Sequence, residues 1–237
     1  MTSSADSTAN AAPDPAPDAA QIRQMLKSES FGDRLKAINL LRTIDPAEAF
    51  TLITPLCDDG NTRVRYAAVS QIATLGEQDK ASAYKVLSAS LGDPEPDVQA
   101  AAADALGGLK LTDALDDLHE LYGMTSEWLV KMSIVAGLGE MGDGRAFDLL
   151  QSALGDDNGL IAVAAIGALG DLKDPRAIDL LLPYADSDDW QVRHRIAQAL
   201  GQFIDQSNPK VTSALQKLSQ DASALVAEMA QSFQVSS

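Results

Sequence analysis

A chain of 237 residues with a formal net charge of -16 repels polyanions, which excludes general nucleic-acid binding as its role. It is 46% hydrophobic but only 5% aromatic, so its core is expected to be Ala, Leu, Val and Ile, a composition suited to closely packed helices. One cysteine supports neither an internal disulfide framework nor a cysteine-based zinc site, and no apolar run approaches the roughly 18 residues of a membrane span. A protein of a reducing cytosol is the expectation.

Residues 1–18 carry almost no large apolar side chain and are expected to be disordered, because they cannot bury enough surface to offset their ordering entropy. They lack the basic start and apolar run of a secretory signal, and the arginines of a transit peptide. Residues 19–237 read as a single array. The stretch Asp188-Asp189-Trp190-Gln191-Val192-Arg193-His194-Arg195-Ile196 opens an amphipathic helix, and the chain repeats it with variation about every 32 residues. The first buried position of each second helix is placed at Asp33 (a degenerate copy), Val64, Val98, Val130, Ile161, Val192 and Leu225. Apolar residues then follow in steps of three and four, as in Ala67, Ala68, Ile72 and Leu75 after Val64, which forms one helical stripe.

Shorter amphipathic segments sit between these helices. Asp143-Gly144-Arg145-Ala146-Phe147 and Asp174-Pro175-Arg176-Ala177-Ile178 are near-copies that begin with a capping Asp. Pairs such as Asp58-Asp59, Gly92-Asp93 and Gly155-Asp156 end the preceding first helices. Each unit is therefore helix, tight turn, helix. A unit this small cannot cover its apolar face alone, so the predicted fold is an all-α superhelix of about six to seven stacked helix pairs.

The stretch Asp93-Pro94-Glu95-Pro96-Asp97-Val98-Gln99-Ala100-Ala101-Ala102-Ala103-Asp104-Ala105-Leu106-Gly107 resembles a HEAT repeat of the short bacterial type named after phycobilisome lyases. Ser30-Phe31-Gly32-Asp33-Arg34-Leu35, Arg63-Val64-Arg65-Tyr66-Ala67, Thr125-Ser126-Glu127-Trp128-Leu129 and Ser187-Asp188-Asp189-Trp190-Gln191 sharpen the similarity. They resemble the NblB family of cyanobacterial phycobilisome degradation proteins, relatives of the CpcE and CpcF phycobilin lyase subunits. The resemblance implies a cyanobacterial cytosolic protein whose partners are phycobiliproteins or other phycobilisome components, with a bilin tetrapyrrole as a candidate ligand. It transfers no catalytic motif. A related cyanobacterial HEAT protein that contacts iron–sulfur assembly machinery implies a general scaffold as an alternative.

The search for chemistry is short. His119 and His194 fall in different repeats, no His pair stands at metal spacing, and no Gly-rich loop links a strand to a helix. The many Asp residues fall at turns, where capping explains them. Cys57 occupies a first-helix end where sister repeats have Gly92 and Gly155, so a small turn-filling residue is its plain explanation and covalent bilin attachment the alternative. His119 stands among Asp116, Asp117 and Glu120 and reads as a solvated histidine.

The informative surface is the face of the second helices opposite their buried stripe. At about 100° per residue it holds Tyr66, Val69, Ser70 and Ala73, then Ala100, Asp104 and Gly107, then Trp128, Met132, Val135, Ala136 and Gly139. It continues with Val163, Ile166, Gly167 and Gly170, and ends with Trp190, His194, Ala197, Gln198 and Gly201. The middle of this face is nearly uncharged where Lys, Glu and Gln are normal. Two explanations stand: an apolar concave groove, or close packing between repeats. Arg65 and Arg193 follow the first buried valine, where a bond to an acidic turn residue is the expected role. The candidate partner- or bilin-binding residues are Tyr66, Trp128, Lys131, Met132, Trp190, His194, Arg195 and Gln198. An apolar floor with aromatic edges and a few cations suits a tetrapyrrole or a helical partner alike. The expected function is a non-catalytic adaptor acting in phycobilisome disassembly, with a bilin lyase or chromophore-detaching enzyme as the alternative.

Overall fold

The computed structural model describes residues 18–204 and 208–233. The tail expected to be disordered lies, up to residue 17, outside them; Asp18 belongs to the array, as the N-cap of the first helix in a reciprocal capping box with Gln21. Among the described residues there are helices and turns and no strand. The helices pair in chain order: α1 (Ala19–Leu26) with α2 (Phe31–Leu40), α3 (Pro46–Ile53) with α4 (Thr62–Leu75), and α5 (Lys80–Ser90) with α6 (Pro96–Gly108). Then come α7 (Leu115–Met124) with α8 (Trp128–Met141), α9 (Phe147–Ala153) with α10 (Gly159–Leu172), α11 (Arg176–Leu181) with α12 (Trp190–Gly201), and α13 (Pro209–Leu218) with α14 (Ala224–Ser232). This is the expected all-α superhelix.

Local chemistry sets the helix ends. The side chains of Asn61, Asn158 and Asp189 accept the backbone N–H two residues on, at 3.0, 3.0 and 2.8 Å, and so start α4, α10 and α12 at one repeat position. After α6, α8 and α10 the chain turns through a left-handed residue at matching positions, Lys110, Gly142 and Lys173. Only the glycine adopts that conformation without crowding its Cβ.

The second helices stack in a parallel row whose register repeats. A Cβ on Gly107 of α6 would meet Gly137 Cα of α8 at 2.3 Å. Cβ atoms on Gly139 and Gly170 would meet Ala168 and Ala199 Cα at 2.5 and 2.8 Å, and one on Gly201 would meet the Phe233 ring at 2.3 Å. In each case the residue nine past the first buried position of one helix sits on the residue seven past that of the next. This register corrects the last repeat. Leu225 is 55% exposed and Val226 is buried, so the last helix begins its core stripe one residue later than the spacing predicts. The contact of Gly201 with Phe233 requires that shift, because Phe233 is seven past Val226.

Close packing also divides the supposedly wet face. Val69, Val135, Ile166 and Ala197, five past the first buried position, are fully buried or nearly so. Gly107, Gly139, Gly170 and Gly201 lie in the contacts just described. For these positions the packing explanation holds, because a helix sandwiched between two neighbours and its own first helix leaves only a narrow sector to solvent. Gly107→Ala should therefore destabilise the array by about 1–3 kcal/mol of overpacking, less about 1 kcal/mol of gained helix propensity. Gly123→Ala in α7, where a Cβ meets nothing within 4 Å, should stabilise it. Paired thermal melts check both signs.

Candidate functional site

Once the packed positions are removed, the exposed sector of each second helix is a stripe in steps of four, at two before and two, six and ten past the first buried position. In solenoids of this kind the row of second helices lines the concave side. On α4 this stripe shows Tyr66 and Ser70, on α8 Trp128, Met132, Ala136 and Glu140, and on α10 Gly159, Val163, Gly167 and Asp171. On α12 it shows Trp190, His194 and Gln198. Six of the eight candidate residues thus share one surface.

The other two are placed by specific contacts. Arg195 reaches back along the row: its guanidinium lies 3.2 Å from where a Gly167 Cβ would stand, and its Nη1 donates to Gln198 Oε1 at 3.1 Å. A side chain on Gly167 would fill that space. Lys131 leaves the stripe, its ammonium standing 5.1 Å from the centre of the Tyr122 ring on α7. It occupies the same repeat position as Arg34, Arg65 and Arg193, which bond residues of the inter-helix connections.

Those three arginines form a ladder. Arg65 Nε and Nη2 donate to Asp93 of the next repeat at 2.7 and 2.9 Å, and Nη1 donates to the Asp59 carbonyl at 3.0 Å. Arg193 does the same with Asp221 at 2.7 and 2.8 Å and with the Ser187 carbonyl at 2.8 Å. Arg34 bonds Asp59 at 2.9 Å and the Ser28 carbonyl at 2.7 Å. The structural role expected of Arg65 and Arg193 is the one observed, and Arg34 extends it to the degenerate first copy.

A depression of about 700 Å³ opens on the stripe where α6 passes between α4 and α8. Its floor is Ala100, Ala101, Ala105 and Gly108, side chains too short to reach the level of Tyr66 on α4 and Leu129 on α8. Arg63, Asp97, Asp104 and Glu140 supply its charge. Its volume falls within the range of small-molecule and side-chain pockets. A second hollow of about 750 Å³ lies beside the Arg65–Asp93 pair and includes Cys57. Burial pushes the Cys57 thiol up to about 12, so it stays protonated near neutral pH and is a poor nucleophile. His119 is exposed on α7.

Three carboxylates stand on the stripe, none of them singled out by the sequence reading. Asp104 appeared there only as one residue of the free face, and Glu140 and Asp171 not at all. The missing signal was the step of four, which carries the stripe from six to ten past the first buried position. Burial against the helix row raises Asp104, partly opposed by a hydrogen bond with Ser133. Burial also raises Glu140, helped by the charges of Asp104 and Asp171, and raises Asp171 against the pull of Arg195. A carboxyl raised in the folded state is destabilising when charged, so this strain is present at neutral pH. It is relieved as pH falls through the raised values toward the ordinary carboxylate range of about 4. Asp104→Asn with Glu140→Gln should raise the melting temperature at neutral pH and flatten the gain that wild type shows on mild acidification. Calorimetry across pH checks this.

Among the described residues there is no cluster of His, Cys, Asp and Glu able to hold a metal, and no helix long and apolar enough to cross a membrane. The arrangement combines a small-residue floor, exposed aromatics at its edge and carboxylates along its far side.

Comparison with known proteins agrees with this architecture. The uncharacterized phycocyanin operon protein Z of Pseudanabaena tenuis is 26% identical over 142 residues, covering 58% of this chain and 70% of that one. The complex of CpcE and CpcF of phycocyanin lyase from a Nostoc species contains a chain with the same fold, at a TM-score of 0.63 and 20% identity over 98% of this chain and 99% of that one. Escherichia coli YibA is similar at a TM-score of 0.61 and 16% identity, over 90% and 80% of the two chains. The family of HEAT repeats matches residues 84–162 and 153–233. Matched over more than half its length and built as stacked helix pairs, the chain belongs to the HEAT-repeat family.

Proposed function

We propose that this protein is a non-catalytic adaptor that grips phycobiliproteins through the exposed stripe of its second helices and promotes phycobilisome disassembly under nutrient stress in the cyanobacterial cytosol. The observation that carries the binding role is the stripe itself: Tyr66, Trp128 and Trp190 stand 42–48% exposed along one surface, where isolated folding would bury them. The phycobiliprotein partner is supported by the sequence resemblance, by the similarity to a phycocyanin operon protein, and by the lyase complex among proteins of the same fold. The charge on the stripe favours a protein surface over a free bilin. The propionates of a bilin would meet Asp104, Glu140 and Asp171, whereas Arg65 and Arg193 are held in the ladder.

A second reading has its own observation. The alanine-floored depression is large enough to admit a tetrapyrrole in part, and a chromophore chaperone needs no nucleophile of its own when the target protein supplies the thiol. Mixing the purified protein with phycocyanin, with and without its bilin, separates the two. Binding to both forms with unchanged visible absorbance supports the adaptor; loss or transfer of the chromophore supports the lyase-like activity. No binding to either form overturns both.

A further inference from the structure

The exposed large apolar side chains are not scattered. Among the described residues they are Phe31, Tyr66, Trp128, Leu160, Trp190 and Leu225, all within the first five residues of a second helix, together with Met124 at the end of α7. They therefore line one edge of the solenoid, where each first helix hands over to its second. The edge has a gap at its centre. Gly159 begins α10 midway between Trp128 at the start of α8 and Trp190 at the start of α12, and a Cβ there would meet nothing within 4 Å. Two indoles thus flank an open slot, with exposed Leu160 beside it and half-buried Val163 farther in.

The same edge is acidic. Glu127, Asp157 and Asp188 are exposed and form no salt bridge among the described residues. Of the nearby cations, Arg193 is held by Asp221, Lys131 stands over the Tyr122 ring, and Arg195 reaches to Gly167 and Gln198, farther along the row from the helix starts. Indole faces attract Lys and Arg, and carboxylates around them add to that attraction. The described helix row therefore presents a slot that is apolar at its walls and negative at its rim.

We propose that the slot between Trp128 and Trp190 docks a basic amphipathic helix of a partner protein, with an apolar side chain over Gly159 and Lys or Arg side chains over the indoles and the rim carboxylates. This rests on the reading of the second-helix row as a binding surface and names the chemistry of what binds there. The occupant follows from charge. Residues 1–17 and 234–237 contain no Lys or Arg, so neither of these segments is basic. A second copy carries the same net charge of -16 and is repelled. Adjacent helices in such a row stand about 8–10 Å apart, so the tryptophans are separated by about 16–20 Å, or about 11–13 residues of a docked helix. Contact residues on the partner are therefore expected about three turns apart on one face.

Both tryptophans of the chain flank the slot, so intrinsic tryptophan emission reports on it alone. The full-length protein is titrated with a tryptophan-free amphipathic peptide of leucine and lysine, about 18 residues long to span the slot, and with its leucine–glutamate counterpart. The lysine peptide is expected to shift the emission saturably, and to bind about tenfold more weakly in high salt, as screening of three exposed ion pairs requires. The glutamate peptide is expected to leave the emission unchanged. Gly159→Arg places bulk and positive charge in the slot without disturbing the fold, because the site is open, has no positive φ, and leaves the Asn158 cap intact. It is expected to weaken lysine-peptide binding at least about tenfold while circular dichroism is unchanged.

Equal binding of the two peptides, or wild-type binding by Gly159→Arg, overturns the proposal. So does an emission shift that depends on protein concentration alone, which would put a second copy in the slot, or saturation by biliverdin with no response to the peptide. If phycocyanin binds and the lysine peptide does not, the slot fails and the adaptor stands. If the peptide binds and no phycobiliprotein does, the adaptor fails and the slot stands.

Discussion

Alanine at Trp128 and Trp190 together is expected to weaken phycocyanin binding at least about thirtyfold while leaving helicity intact, the loss typical of removing a buried aromatic anchor at an interface. Each indole presents a large, rigid surface that is 46% and 42% exposed in the array, so nearly half of what alanine removes is open to a partner and the rest packs on the array. Neither residue caps its helix: α12 is started by the Asp189 side chain on the Gln191 N–H at 2.8 Å, and that bond survives the substitution. Single variants should each lose part of the affinity, and their effects should add in free energy, because the two side chains stand two helices apart and touch different parts of the partner. Titration calorimetry with far-UV circular dichroism checks the claim. Collapse of the helical signal in both single variants would show that the indoles hold the array together, and the binding surface would lose its main anchors.

Breaking the arginine ladder is the largest stability effect expected. Arg193→Ala removes both bonds to Asp221, leaves that carboxylate nearly buried without its partner, and frees the Ser187 carbonyl. The pair lies at the surface edge, with side chains 18% and 9% exposed, so the cost falls below the range for fully buried pairs. In a solenoid each repeat contacts only its neighbours, so the damage should be local: α13 and α14 should lose protection from hydrogen exchange first. The hydrogen bond from Arg193 holds the Asp221 carboxyl below the usual aspartate range. A depressed carboxyl contributes stability above its unfolded value of about 3.9 and loses it as pH falls through the folded value. Arg193→Ala should therefore also blunt the acid denaturation of the last repeat. A double-mutant cycle with Asp221→Ala, read by chemical denaturation, isolates the pair; a coupling near zero would remove the ladder from the account of stability.

The two arginines and the two tryptophans are both visible in the sequence as repeated residues, and their roles separate for a geometric reason. Arg65 and Arg193 follow the first core position by one residue and meet the acidic turn of the next repeat. Trp128 and Trp190 precede it by two and meet solvent. A period near 32 residues, Asn and Asp caps at matching places and stripes in steps of three and four were enough to predict stacked helix pairs. Each of these is a short-range property of the chain: a cap needs one side chain, a stripe needs one helix, and a repeat needs only comparison with itself.

The division of the opposite face was not legible in this way. Val69 and Ser70 are adjacent, and both project away from the buried stripe on a single helix, yet Val69 is fully buried and Ser70 reaches solvent. What separates them is how closely the neighbouring helix approaches, and that distance is set by glycines on the other side of the contact, as where Gly107 meets Gly137. The one-residue shift from Leu225 to Val226 has the same origin, since Phe233 must fall on Gly201. The acidity of the stripe emerged likewise, when stacking left Asp104, Glu140 and Asp171 in a single row. Periodicity within one chain segment determines which helices form and which stripe enters the core. The remaining surface is shared between repeats, and only the spacing of whole helices decides which of its residues are packed and which are left to bind.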